Sequence, residues 1–423
     1  MKRVAWIYIP TLYFAESLPY QMVNFVSTVV YKSMGVDNVT IGYTSYLYLP
    51  WVIKMFWGPA VDLYATKRNW ILSMQGLMAA AFAVAAVGIF SPEYLTITLV
   101  VFTIAAFLSA TNDIATDGFY MLALSAADQA FYVGIRSLFY RIGAIFATGA
   151  LVVWGGNLEK SAGNVPQAWS VIFWTVAGIF LLLAIVHFLY LPRPVTDVRG
   201  RREESRTPPF LDVFKSYFQR PRIVAIVMFI LLYRLAEAMV VKMLVPFMKD
   251  PRTAGGLGLE TATVGYAYGT VGILSLVLGG LLGGWLISRF GLRRCIWPMA
   301  LALNAPDVGY IYLAKAAEPT LTAVYSVVAI EQFGYGLGFT AFMVFLMYTS
   351  RGAYQTAHYA ISTGLMALGM MGPGIISGKL QQALGYEQFF VMILIVSIPG
   401  MLVIPFLPLE DRPQEVPKDI DLN

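Results

Sequence analysis

The dominant pattern in this chain is continuity. Apolar residues run almost unbroken over stretches as long as a bilayer is thick, and polar residues gather in the short gaps between them. A helix needs about 20 apolar residues to cross roughly 30 Å of hydrocarbon. Twelve runs meet that requirement: Val4–Tyr31, Thr40–Val61, Trp70–Phe90, Tyr94–Leu122, Ala130–Trp154, Ala168–Leu191, Ile223–Phe247, Thr263–Ile287, Cys295–Ala314, Leu321–Tyr348, Ala357–Leu380 and Phe389–Leu407. They lack the apolar–polar alternation of a membrane β-barrel, so the pattern predicts an all-α membrane protein. Composition agrees, with 58% hydrophobic and only 13% charged residues. The first run follows Met1-Lys2-Arg3, as a signal peptide would. It is too long, contains Glu16 and lacks a small-residue cleavage site, so it is read as a retained span.

The one long polar segment, Pro192–Arg222, falls between spans 6 and 7 and divides the chain into two sets of six. The expected organisation is a bundle over 1–191, a linker over 192–222, a second bundle over 223–407 and a tail over 408–423. The linker carries Arg193, Arg199, Arg201, Arg202, Arg206, Lys215, Arg220 and Arg222 without the interleaved aromatics of a nucleic-acid surface. If both termini are cytoplasmic, the inner face collects that cluster with Lys2, Arg3, Lys67, Arg68, Arg289, Arg293, Arg294, Arg351, Arg412 and Lys418. The outer face is left with Lys32, Lys160, Lys249, Arg252, Lys315 and Lys379. This asymmetry sets the expected orientation and accounts for a net charge of +5 without invoking an acidic partner.

Ionisable residues within the runs are functional candidates, because hydrocarbon does not solvate charge. Glu16 lies in span 1, Lys54 in span 2, Asp113 and Asp117 in span 4, and Arg136 and Arg141 in span 5. Span 7 carries Arg234, Glu237 and Lys242, and span 10 carries Glu331. Asp113 and Asp117 are four residues apart, hence on one helix face, and require a neighbouring cation such as Lys54, Arg136 or Arg141. Arg234 and Glu237, three apart, are spaced to pair, with Glu331 at matching depth. Arg136, Lys242 and Asp307 are read instead as structural ion pairs. Prolines interrupt spans 1 and 2, and glycines soften spans 10 and 11.

The loops after spans 2 and 8 repeat one another. Gly58-Pro59-Ala60-Val61-Asp62 leads to Lys67-Arg68, and Gly284-Trp285-Leu286-Ile287-Ser288-Arg289 leads to Arg293-Arg294. Both resemble the Gly-x-x-x-Asp-Arg-x-Gly-Arg-Arg loop of the major facilitator superfamily, although Leu63 and Ala65 replace Arg and Gly in the first copy and Ser288 replaces Asp in the second. The resemblance implies two pseudo-symmetric six-helix bundles around a cavity lined by spans 1, 4, 7 and 10. It also implies a gate formed by Asp62, Lys67, Arg68, Arg289 and Arg293.

Further strings narrow the resemblance. They are Lys54-Met55-Phe56-Trp57-Gly58-Pro59, Asn112-Asp113-Ile114 with Asp117, Tyr140-Arg141-Ile142-Gly143, Leu232-Tyr233-Arg234 with Glu237, Gly279-Gly280, Glu331, and Thr340-Ala341-Phe342 with Leu346-Met347. In this order they are similar to the AmpG-type muropeptide permeases, a branch related to acetyl-CoA transporters. Some members of that branch have two additional spans, for which no run here is a candidate. The resemblance implies a monomer in the bacterial inner membrane that imports anhydromuropeptides with protons. Glu16, Asp113, Asp117, Glu237 and Glu331 would then couple protons. Lys54, Tyr140, Arg141, Tyr233, Arg234 and Tyr335 would bind the anionic glycopeptide, arginine bidentately.

Other classes fit less well. No Gly-x-x-x-x-Gly-Lys-Ser/Thr loop supports an ATP-driven pump. With two histidines, no His-Glu-x-x-His string and no serine elbow, an enzyme is not expected. The single cysteine, Cys295, rules out an intramolecular disulfide and a cysteine zinc site, and no cofactor or metal is expected. The rival reading is a proton-linked carrier of another anionic solute, such as a siderophore, a coenzyme A ester or an acidic sugar, in either direction.

Overall fold

The computed structural model describes residues 2–195, 197, 210–351 and 354–409, and these contain helices and turns but no strand. Eight helices are long and apolar enough to cross a membrane: Lys67–Gly88, Tyr94–Ala123, Phe131–Ala162, Val165–Tyr190, Ile223–Lys249, Thr261–Phe290, Leu321–Thr349 and Ala357–Phe406. The last holds two passes, because Gly385, at φ 73°, turns the chain back between them. Three more passes, over 2–33, 38–64 and 292–315, are interrupted helices. The total matches the twelve apolar runs.

Proline explains where the interrupted passes break. Pro50, Pro59 and Pro306 each stand in the first turn of a new helical piece, where their missing N–H costs nothing. Pro19 lies inside the first helix and is followed by a π turn over Met22–Val26. Two more π turns, Phe146–Leu151 in span 5 and Gly265–Gly272 in span 8, cross each other between the bundles. A Cβ on Gly269 would overlap the Thr148 backbone there, so this crossing requires glycine. Span 2 meets span 11 as closely: a Cβ on Gly378 would overlap the Asn38 carbonyl.

A polar lock completes this seam at one end of the molecule. Lys32 pairs with Asp250 at 2.5 Å. Asn38 Nδ2 donates to Asp250 (3.0 Å), Gln381 (2.7 Å) and Tyr386 (2.9 Å), and the Tyr386 hydroxyl donates to Asp250 at 2.6 Å. Beside it, Lys249 donates to Ser33 at 2.8 Å and to Thr261. Thr261 in turn donates to Glu159 at 2.5 Å. Every one of these clusters joins residues from both bundles. No comparable lock joins the bundles at the opposite end among the described residues. The protein is therefore closed at the end holding Lys32 and Asp250 and open at the end holding Lys67 and Arg289.

The linker is described only in part, and its helix Phe210–Phe218 was not expected from the sequence. It docks on the start of span 11, with the Tyr217 and Ser362 hydroxyls 2.9 Å apart.

Breaking a buried ion pair by removing one partner costs about 3–5 kcal/mol, so Asp250→Ala should open the lock. Spin labels on Ser161 and Glu318, exposed residues of opposite bundles at the closed end, should report a longer distance in this variant than in the parent (both carrying Cys295→Ala).

Candidate functional site

The seam leaves the ionisable residues of the two bundles around one cavity. In the N-terminal bundle the two aspartates of span 4 take different cations. Lys54 approaches Asp113 at 3.7 Å, and the Trp51 indole N–H donates to the same carboxylate at 3.1 Å. Arg136 approaches Asp117 at 3.5 Å, and the Tyr13 hydroxyl donates to it at 3.0 Å. Arg136 also lies over the Tyr13 and Tyr120 rings, 4.7 and 5.1 Å from their centroids. The like charges are thus separated by giving each its own partner, as the four-residue spacing required. Glu16 lies within electrostatic reach of all four charges, with one carboxylate oxygen buried and unbonded.

These groups are partly exposed. The side chains of Lys54, Arg136 and Asp117 are 36%, 33% and 48% exposed. Tyr359 of the C-terminal bundle lies within electrostatic reach of Asp117 and Arg136, so their exposure is to the gap between the bundles.

In the C-terminal bundle, span 7 breaks at Tyr233–Arg234: one helix ends at Leu232 and the next begins at Leu235. The break changes what Arg234 can reach. Its Nη2 donates to the Tyr335 hydroxyl at 2.5 Å, and its guanidinium covers the Tyr335 and Phe339 rings at 5.3 and 4.8 Å. The expected Arg234–Glu237 pair is absent, because three-residue spacing brings side chains together only on an unbroken helix. Glu237 is 1% exposed, and neither of its carboxylate oxygens has a hydrogen-bond partner. Glu331 is fully buried and accepts from Tyr310 (3.0 Å) and from its neighbour Gln332.

Between the two groups lies a girdle of phenols. Tyr20, Tyr48 and Tyr140 from one bundle and Tyr335 from the other are within electrostatic reach across the seam. Tyr20 packs edge-on against Trp51 at 5.1 Å. Arg141 faces Tyr140 and Tyr335 and has neither ion pair nor hydrogen bond among the described residues. Two guanidiniums, one from each bundle, therefore flank Tyr335, and Arg234 keeps an unbonded Nε. Such an arrangement can receive a carboxylate from between the bundles.

Several expected residues lie elsewhere. Tyr233 stacks on Phe342 at 5.3 Å and donates to the Gly338 carbonyl at 3.1 Å, inside the core of the C-terminal bundle. The helix break turns it away from the cavity. Arg68 caps the end of span 6, donating to the Leu191 and Phe188 carbonyls at 3.2 and 2.7 Å. The Lys67 and Arg68 backbone N–H groups are held by Asp197. Arg289 and Arg293 are exposed at the open end, and the Asp62 side chain lies outside the described residues. Neither Asp307 nor Lys242 forms the ion pair expected of it. Asp307 is buried with an unbonded oxygen near Glu331 and Glu237, and among the described residues Lys242 meets only Thr44. Trp51, Tyr13 and Tyr48 escaped the sequence reading. Tyr13, Glu16 and Tyr20 do follow helical spacing on one face of span 1, but tyrosine is common in membrane helices and the spacing alone did not single them out.

The family model of the Major Facilitator Superfamily matches residues 11–371. The chain is 26% identical over 399 residues to the anhydromuropeptide permease of Escherichia coli K12, covering 92% of this chain and 77% of that one. It is 24% identical over 409 residues to the putative transporter AmpG 4 of Rickettsia conorii, covering 93% and 94%. Among solved structures, a variant of the nucleoside transporter NupG superposes with a TM-score of 0.71 at 16% identity, over 94% of this chain and 98% of that one. An inward-facing, unoccupied bacterial homologue of the lysosomal transporter Spinster superposes with 0.69 at 15% identity, over 96% and 97%. A cavity between two six-helix bundles, closed at one end and matched by this family over most of its length, identifies the chain as a membrane transporter of the major facilitator superfamily, similar to its AmpG-type permeases.

Proposed function

We propose that this transporter imports anhydromuropeptides, anionic cell-wall glycopeptides, together with protons by alternating access. The observation that carries the reading is the pair Arg141 and Arg234. Two guanidiniums from opposite bundles flank one phenol, and one of them has no counter-ion among the described residues. A cargo carboxylate bound between them would hold both bundles at once, so its arrival and release would bias which end is open. Lys54 offers a further cation and Tyr20 and Tyr140 offer faces for sugar rings. The names of the relatives support this cargo class.

Glu16, Asp113, Asp117, Glu237 and Glu331 are the proton-coupling groups in this reading. Asp113 and Asp117 meet the open cavity through exposed partners, whereas Glu237 and Glu331 lie sealed behind Arg234. Gate residues Asp62, Lys67, Arg68, Arg289 and Arg293 would draw together when the open end closes. The open end carries the excess of Lys and Arg, which favours its facing the cytoplasm, with both termini there. The observed conformation is then inward-open. The protein acts as a monomer in this scheme, with the cavity contained in one chain.

Proteoliposomes loaded against a pH gradient test the reading. Labelled anhydromuropeptide should accumulate when the outside is acidic, and acetyl-CoA and a free acidic sugar should not; accumulation of either of those instead would replace the cargo. Asp113→Asn should abolish gradient-driven accumulation while thermal unfolding stays close to the parent's, and unchanged uptake would remove Asp113 from coupling. Arg234→Lys exchanges a stacked, planar donor for a point charge. Losing one charge-assisted hydrogen bond is worth about 1.5–3 kcal/mol, which predicts an apparent KM raised about tenfold or more.

A further inference from the structure

Lys242 is a buried basic side chain that the scheme above does not use. It is 5% exposed and its Nζ lies 2.5 Å from Thr44 Oγ1, across the seam on the other bundle. Thr44 cannot offer more than this, because its own hydroxyl donates to the Ile41 carbonyl at 2.7 Å. Among the described residues no carboxylate pairs with Lys242. Among the described residues, the titratable groups on the surrounding elements do not pair with it. Lys32 and Tyr386 bind Asp250, Lys249 binds Ser33, Lys379 lies over the Tyr43 ring, and Glu237 on the same helix is influenced by Arg234. Glycines 42, 374 and 378 bring spans 2 and 11 together beside Thr44 too closely to admit a water layer.

An ammonium sealed in such a place would lack a counter-ion, and the effective penalty for that is several kcal/mol. A neutral amine carries no such penalty. Lys242 is also eight residues beyond Arg234 on the same span, about 12 Å toward the closed end at 1.5 Å per residue. It therefore lies between Arg234 and the closed end, where the seam joins the bundles.

The geometry points to Lys242 as a further functional residue of transport: the seam closes over it either as the free amine with no cargo, or as the ammonium paired with a cargo carboxylate. This rests on the proposed anionic cargo and deepens it into a coupling rule. With the outer end open, Lys242 nitrogen takes a proton from external water. The ammonium alone resists closure, and so does an unpaired cargo carboxylate against a neutral amine. Proton and anion together restore neutrality, and the seam can form. On the cytoplasmic side the cargo departs and the proton leaves to water through the open end, so that Lys242 returns to Thr44 as the neutral amine. At this residue, one proton accompanies one carboxylate.

The test needs no cargo. Spin labels at Ser161 and Glu318 in a Cys295→Ala background are followed in lipid nanodiscs from alkaline to mildly acidic pH. The parent should shift from the short to the long distance on acidification. Lys242→Met, of similar volume and without charge, should stay short throughout. Lys242→Arg, which cannot lose its proton, should stay long. A parent that does not respond to pH, or either variant titrating as the parent does, overturns the assignment. Acid rupture of the Lys32–Asp250 lock would persist in Lys242→Met and so counts among those refuting outcomes. In proteoliposomes Lys242→Met should lose gradient-driven accumulation. If uptake reveals another anion while the labels behave as expected, the cargo assignment fails and that of Lys242 stands. If muropeptide uptake holds and the labels fail, only Lys242 is removed.

Discussion

Hydrocarbon cannot solvate a charge, and that constraint sorts this structure. Every ionisable side chain at membrane depth must meet an opposite charge, a hydrogen-bond partner, water or cargo, or else give up its charge. Lys54 and Arg136 meet this demand with Asp113 and Asp117 on the wall of a shared cavity. Arg234 meets it with a phenol and two aromatic faces. Arg141 has no ion pair or hydrogen bond among the described residues, and this incompleteness is what makes it suited to an external anion. The placement of charge and the placement of the cavity are one problem, since only a water-accessible gap lets acidic and basic side chains remain within the membrane without all being paired.

The second determinant is the contrast between the ends. At one end backbones approach through glycine, and side chains from both bundles converge on Asp250 and on Lys249 with Thr261. At the other, the basic residues either cap helices within their own bundle, as Arg68 does, or stand exposed, as Arg289 does. A seam that depends on polar contacts between two otherwise self-contained bundles can separate without unfolding either of them. The π turns of spans 5 and 8, crossing at Gly269, give the helices local irregularity at the place where the bundles meet.

Much of the fold was legible because the bilayer imposes length and apolarity on each span independently of its neighbours. The twelve passes, the division into two sets and the cations needed by Asp113 and Asp117 all follow from that. The errors share a cause. Arg234 and Glu237 were expected to pair, and Tyr233 to face the cavity, on the assumption of a continuous helix through span 7. The chain breaks at Tyr233–Arg234, where the Leu232 carbonyl and Tyr233 lie against Gly400 of span 12. Lys242 and Asp307 were read as paired because charge in membranes usually is, and the structure leaves both without counter-ions.

The sequence by itself determined the helical class, the number of crossings and the depth of each charged residue, because these are set by local hydropathy against a slab of fixed thickness. Tertiary structure alone decided which cation meets which carboxylate, where span 7 interrupts, and which end of the cavity is shut. Those outcomes depend on distances between residues far apart in the chain, such as Lys32 to Asp250 or Lys242 to Thr44. No local pattern encodes such distances, because they arise only when two complete bundles press together and leave each buried charge with whatever partner the opposing surface supplies.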